Sequence, residues 1–227
     1  MYVVIDGNDT LDYGARAMAI PPIQIARKRV TLITIPGRSG YLTQWDGSYD
    51  ETIKTVSFFV NDPSPPERIA QLLLEGSTVT FSNEPDKVYD YRLDIAADLI
   101  NTIAAWHQFD IQFVCNPVKR ATSPEHFSAV VSPLILTNPG NYMAYPTIIL
   151  TGSGSVVLTV GDREIALSDI SPAITIDGDL LECYQGETLA NDKMTGDYPV
   201  IDAGKTVNIS WDGSVTGVEI LPNWRWV

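Results

Sequence analysis

The sequence predicts a mainly β protein of two domains. Three observations carry this. Apolar and polar residues alternate through most of the ordered-looking runs, as strands with one buried face require. A single stretch has helical spacing instead. Periodicity vanishes between Asn116 and Pro133, and the patterns on its two sides differ. The first domain is placed at 1–128, β-sandwich-like, with one α-helix and a hairpin arm. The second is placed at 129–227 and is all β.

Taken in order, Tyr2 to Ile5 reads as an opening strand closed by Asp6-Gly7-Asn8-Asp9. Ala17 to Ile20 reads as another, ended by Pro21-Pro22. Arg27-Lys28-Arg29 is a basic triplet, read as the solvated start of a strand. From Ile33 to Val60, two β-rich runs flank a glycine-punctuated middle. Asp46-Gly47 is a two-residue hairpin signal, because its turn positions need φ > 0. Such a turn pairs Trp45 with Ser48, Gln44 with Tyr49 and Leu42 with Glu51. Tyr41, Thr43 and Trp45 then share one face; Leu42, Gln44 and Tyr49 share the other. Neither face is purely apolar, so the hairpin suits contact with something outside its own core.

Val56, Phe58 and Val60 alternate with polar residues as a half-buried strand. Ser64-Pro65-Pro66-Glu67 joins an N-cap serine, a proline in the first turn and a capping-box glutamate. Ile69, Leu72 and Leu73 give the helical stripe, and Gly76 is placed at the left-handed C′ position. Val79 to Phe81, Val88 to Ile95 and Trp106 to Cys115 return as strands. In the last, Phe109, Ile111, Phe113 and Cys115 point one way; Gln108, Asp110 and Gln112 point the other. Residues 116–133 read as a linker or a strand crossing between domains. Beyond them, short strands are expected between turns at Gly152-Ser153-Gly154, Gly161-Asp162, Asp177-Gly178 and Asp212-Gly213.

The chain has 227 residues, with 28 acidic against 15 Lys and Arg, a net charge of −13. That excess opposes a nucleic-acid-binding surface, which needs cations to displace counterions. Residues 1–128 carry eleven basic and sixteen acidic side chains; the remainder carries four and twelve. No apolar run approaches the ~18 residues of a membrane span, so no membrane insertion is expected. Met-Tyr-Val-Val-Ile-Asp lacks the pattern of an export signal.

Catalytic, metal and cofactor-binding residues are expected to be none. Cys115 and Cys183 are far apart, and Cys115 ends a strand on its apolar side as a buried free thiol. His107 and His126 with those thiols do not make a metal set. Thr151-Gly-Ser-Gly-Ser155 misses the spacing of a nucleophile elbow and is placed in a hairpin turn. Trp211 and Trp224 are candidates for a sugar platform, weighed against core packing.

A β-run, Pro36-Gly37-Arg38-Ser39-Gly40 and an aromatic hairpin ending at Tyr49 together resemble the N-terminal domain of distal tail proteins. These are the Dit family of long-tailed (siphovirus-type) bacteriophages or prophages. The resemblance continues through Asn138-Pro139-Gly140-Asn141, Ala144-Tyr145-Pro146, Gly152, Ile176-Asp177, Gly196-Asp197-Tyr198-Pro199, Gly204 and Pro222-Asn223-Trp224-Arg225. It implies a galectin-like β-sandwich for residues 129–227, too short here for the large carbohydrate-binding insertions of some relatives. It implies a structural virion protein, made in the host bacterial cytoplasm, that forms a homo-hexameric ring at the distal tail tip. Its implied partners are the major tail-tube protein, the tail-tip (tail-associated) protein, and receptor-binding or baseplate proteins; DNA passes through the channel without specific binding. The arm, with Arg38, Tyr41, Trp45 and Tyr49, is the expected intersubunit interface. The alternative function is a carbohydrate-binding adhesion module for attachment to a host cell surface.

Overall fold

The structure is a computed structural model describing residues 1–61, 66–93, 100–103 and 106–227. The Ser64 cap and the Asp94–Ile95 end of a predicted strand lie outside the described residues, as does the His107 side chain. The chain is mainly β and divides into two compact units, residues 1–122 and 123–226.

In the first unit, antiparallel strands run in the order Asn8–Asp9, Val3–Ile5, Thr78–Phe81, Lys87–Leu93, Trp106–Cys115, Thr52–Asn61, Ala15–Ala19. Trp106–Cys115 pairs with Thr52–Asn61 along its whole length. Alternation then places Val56, Phe58, Val60, Phe109, Ile111, Phe113 and Cys115 in one core. Phe58 stacks on Phe109, and Phe113 meets Phe81 and Tyr91 edge-on.

The helix, Pro66–Glu75, covers this core with Ile69 and Leu73 buried and Leu72 half-buried. Gly76 is not the left-handed cap the sequence suggested, since its φ is not positive. Its reason is space. A Cβ there would sit 2.4 Å from both Ile5 Cγ2 and the Tyr91 hydroxyl. That hydroxyl donates to Leu73 O at 2.9 Å. Gly76→Ala is therefore expected to cost about 1–3 kcal/mol by overpacking, read as a lower midpoint in urea denaturation. An unchanged midpoint would mean that the helix exit shifts without cost.

The second unit is built on two long strands, Thr147–Val160 and Thr206–Leu221, paired through most of their length. The sequence placed turns at Gly152-Ser153-Gly154 and Asp212-Gly213. Both are bends inside these strands, not turns. Register shifts fall at Thr151/Gly152 and between Ser153 and Val156, and Gly154 and Gly213 have φ of 78° and 113°. The strands bend where they face each other. A Cβ on Gly152 would meet Ser214 O at 2.3 Å, and one on Gly213 would meet Ser155 O at 2.6 Å. Each half then takes a different partner. Thr147–Thr151 pairs with Ala173–Asp177, and Val156–Val160 pairs with Arg163–Leu167. The bend curls the sheet around Ile148, Leu150, Leu158, Ile165, Ile174, Ile176, Ile209 and Ile220, all buried. Gly161-Asp162 and Asp177-Gly178 do stand between strands as turns. The 116–133 segment holds two short strands, Lys119–Ala121 and Phe127–Ala129.

Candidate assembly interface

One element is in neither core. Lys28–Thr34 and Tyr41–Tyr49 form a separate two-stranded sheet. Every residue of the first strand is exposed, as are residues 41–47 of the second. The two strands join through Ile35-Pro36-Gly37-Arg38, where the Arg38 amide donates to Ile35 O at 3.1 Å. Proline second and Gly37 third, at φ 79°, make this a type II turn.

The turn therefore lies ten residues before Asp46-Gly47, and the predicted hairpin is corrected. Val30 faces Trp45, Thr31 faces Gln44, Leu32 faces Thr43, Ile33 faces Leu42 and Thr34 faces Tyr41. Asp46-Gly47-Ser48 bulges where the register shifts between Lys28 and Val30. Gly47 takes φ 94°, and the Asp46 carboxylate accepts from the Ser48 amide at 2.9 Å and its hydroxyl at 2.6 Å. Those bonds hold the Asp46 carboxyl below the usual carboxylate range. A bulge needs the same positive-φ residue as a hairpin turn, so the local chemistry was read correctly and its context was not.

Because the strand continues, Tyr49 joins Trp45 rather than Leu42. Their rings meet edge-on at 5.6 Å, the Lys28 ammonium lies 4.1 Å over the Trp45 ring, and the Trp45 indole N–H donates to Ser48 O at 2.7 Å. At the base, Asp50 carries ion pairs from Arg29 at 3.1 Å and Arg27 at 3.9 Å. Arg38 sits exposed at the tip.

One face of this arm carries Val30, Leu32, Tyr41 and Trp45; the other carries Ile33 and Leu42. All six are large and exposed, Tyr41 by 67 % and Leu32 by 55 %. From Arg27 to Asp50 the arm holds four basic residues, Arg27, Lys28, Arg29 and Arg38, against two acidic, Asp46 and Asp50, in a chain of net charge −13. Sequence reasoning placed a β-run before Pro36-Gly37, with its solvated start at Arg27-Lys28-Arg29, and missed that this run is the partner of Tyr41–Tyr49. The signal for that pairing was the run Val30-Thr31-Leu32-Ile33-Thr34-Ile35 directly before Pro-Gly. An isolated two-stranded ribbon is marginal in water, and apolar side chains exposed on both faces mark a contact surface.

The other candidates lie elsewhere. Trp224 is 4 % exposed, inside the second core, and its indole N–H donates to Glu125 at 2.8 Å. Trp211 is half-buried against the same core. Trp224 thus offers no open ring face to a sugar. His126 lies 3.2 Å from Glu219 on the surface. Cys115 and Cys183 are free and buried, and burial pushes their thiols up to about 12 and about 11. No cluster of metal-ligating side chains occurs among the described residues, and no helix among them is long and apolar enough to cross a membrane.

No family model and no curated protein matches this sequence. A solved structure does. The crystal structure of the SPP1 Dit (gp 19.1) protein, described as a paradigm of the hub adsorption apparatus in phages infecting Gram-positive bacteria, superposes with a TM-score of 0.77. The match covers 100 % of this chain and 99 % of that one, at 16 % sequence identity. Over its whole length, this chain has the fold of that Dit protein.

Proposed function

We propose that this chain is a structural subunit of a phage tail tip, a Dit-type hub whose copies close a hexameric ring through the hairpin arm. The observation that carries the reading is the arm itself, a ribbon with exposed apolar residues on both faces and no core of its own. The full-length likeness to a hub adsorption protein supports the setting. In this reading residues 1–128 build the ring and meet the tail-tube protein. The opposite ring face carries the tail-tip protein. Residues 129–227, as a galectin-like domain, face outward toward receptor-binding or baseplate proteins. The product is a virion component with no catalytic role. Burial of Trp224 weighs against the alternative of a sugar-binding adhesin.

The test is the size of the assembly. Chemical cross-linking and negative-stain images of the purified chain at high concentration are expected to give closed rings and a ladder ending at six copies. A two-fold dimer, or a monomer that stays monomeric when mixed with tail-tube protein, would overturn it.

A channel of this composition is expected to let DNA pass unheld. Sixteen acidic residues against eleven basic in residues 1–128 leave little to replace phosphate counterions. Fluorescence anisotropy with a labelled duplex should show no submicromolar binding even at low salt. Tight binding that weakens steeply with salt would remove the free-passage part of the reading.

A further inference from the structure

An assembly built by residues 1–128 needs its receiving surface in the first unit. One end of that unit's sheet is open. Ala15–Ala19 pairs with Thr52–Asn61 on one side and, among the described residues, with no strand on the other. The register sets Arg16 beside Phe59 and Phe59 beside Gln108. These three point away from the core, since Ala17, Phe58 and Phe109 point into it. Asp110 shares that outer face, across Ser57 from Ala19. Met18 is 53 % exposed where the strand bulges between Ala17 and Ala19. Met1, Arg16, Ala17, Met18 and Phe59 line a groove of about 470 Å³ along this edge.

Charge alternates on the two surfaces in matching order. On the arm, Arg27 and Arg29 are held by Asp50. That leaves Lys28 at the base, then Asp46, bonded to Ser48 and near Arg29, then Arg38 at the tip. Their signs run plus, minus, plus. Along the open edge stand Asp12 just before the strand, Arg16 within it, and Asp110 level with its end. Their signs run minus, plus, minus. None of these six side chains has an ion pair among the described residues. Near the Asp12 end, Asp9 accepts from the Leu11 amide at 2.9 Å and Arg68 lies 4.9 Å over the Tyr13 ring, two opposite charges that offset each other. A net negative edge with an apolar groove thus fits a net positive arm with Leu32 and Tyr41 exposed on one face.

We propose that this open edge is the docking surface for the hairpin arm of a second copy of the chain. The inference rests on the arm-mediated assembly proposed above and adds the receiving surface. The arm lies along Ala15–Ala19 with its base toward Asp12 and its tip toward Asp110. Lys28 meets Asp12, Asp46 meets Arg16 and Arg38 meets Asp110, while Leu32 and Tyr41 fill the groove beside Met18 and Phe59. The arm strands have free edges of their own, so main-chain hydrogen bonds add to the contact, as when a strand joins a sheet edge. Arm and edge are different patches of the same ring-building part, so the contact is heterologous, the type that repeats around a closed ring.

The experiment places a photo-reactive p-benzoylphenylalanine at Tyr41 or, separately, at Leu42 on the opposite face of the arm, in the full chain. This protein is mixed with a copy labelled with ¹⁵N, irradiated, and the cross-linked peptides are mapped by mass spectrometry. From Tyr41, cross-links into residues 1–19 or 57–59 of the labelled copy are expected. Asp12→Lys/Asp110→Lys in the labelled copy should cut their yield at least about tenfold, and Lys28→Glu/Arg38→Glu in the arm-bearing copy should restore it, as charge complementarity requires. Circular dichroism checks that the variants fold, and the parent's map stands without them. An undiminished yield from the folded lysine variant, or cross-links only to another part of the second copy, would leave arm-mediated assembly standing and overturn this docking edge. No intermolecular cross-link from either position would overturn both.

Discussion

Trp45→Ala combined with Tyr41→Ala is expected to leave the subunit folded, with an unchanged melting temperature, and to abolish ring formation. Neither side chain belongs to either core cluster; Tyr41 is 67 % and Trp45 43 % exposed. Their loss removes no packing from either core. Fully burying one large aromatic side chain contributes roughly 1.5–3 kcal/mol. Both are already partly covered within the arm, so burying what they still expose is worth roughly 2–3 kcal/mol by the same scale before the cost of association is counted. The loss recurs at every contact of a ring, where each subunit must hold two neighbours at once. Circular dichroism and calorimetry check the fold; cross-linking and negative-stain images check assembly. A lower melting temperature would place Trp45 in the internal fold through its contacts with Lys28 and Tyr49. Normal assembly by a folded double variant would put the contacts along an exposed strand edge instead.

The sequence made the core positions legible because they obey a period of two. Val56, Phe58, Val60, Phe109, Ile111, Phe113 and Cys115 were read from alternation alone, and each is buried. What it hid was the context of glycine. Asp46-Gly47, Gly152-Ser153-Gly154 and Asp212-Gly213 all read as turns, and all three are bulges within continuing strands. A tight turn and a bulge both need a residue that tolerates positive φ. Long-range partners decide between them. Gly152 and Gly213 bend because Val215 and Val156 face them from the other strand, some sixty residues away in sequence. Gly76 shows the same ambiguity in another form. Its position after the helix was legible, and its cause, the approach of Ile5 and Tyr91, was not. The arm suffered most. The correct turn at Pro36-Gly37 was in view, but Asp46-Gly47 is the stronger short-range signal and was preferred.

The largest single loss of stability is expected from a carboxylate that sequence reasoning never singled out. Glu84 is 9 % exposed, and three buried polar groups converge on it. Its Oε1 accepts from the Lys119 ammonium at 2.8 Å, and the Tyr89 hydroxyl donates to its Oε2. The Lys54 ammonium, 2 % exposed, lies 4.8 Å from the Tyr89 ring and 5.6 Å from that of Phe81, and donates to Pro22 O at 3.5 Å. Burial raises the Glu84 carboxyl, but the bonds from Lys119 and Tyr89 and the charges of both lysines outweigh it, leaving it below the usual carboxylate range. Burial also holds the Lys54 ammonium below the usual lysine range, against the attraction of Glu84. The signs follow from linkage. Glu84's contribution is present above the ordinary carboxylate range and is lost as pH falls through its depressed folded value. Lys54 opposes folding at neutral pH, and that cost is relieved as pH rises toward the ordinary lysine range. Glu84→Gln keeps the shape and removes the charge, so two buried cations lose their counter-ion. The expected cost is about 3–5 kcal/mol. Lys54→Met leaves the Glu84–Lys119 pair intact and is expected to fall within about 1 kcal/mol of the parent, since an apolar replacement escapes the desolvation cost. Added to Glu84→Gln, Lys54→Met should recover about 1–3 kcal/mol, the coupling typical of neighbours in one buried network. Equilibrium urea denaturation of the four proteins at pH 7 measures the cycle. Additive effects would mean that Glu84 and Lys54 do not sense each other. A recovered double variant would identify Glu84 and Lys54 as one coupled unit.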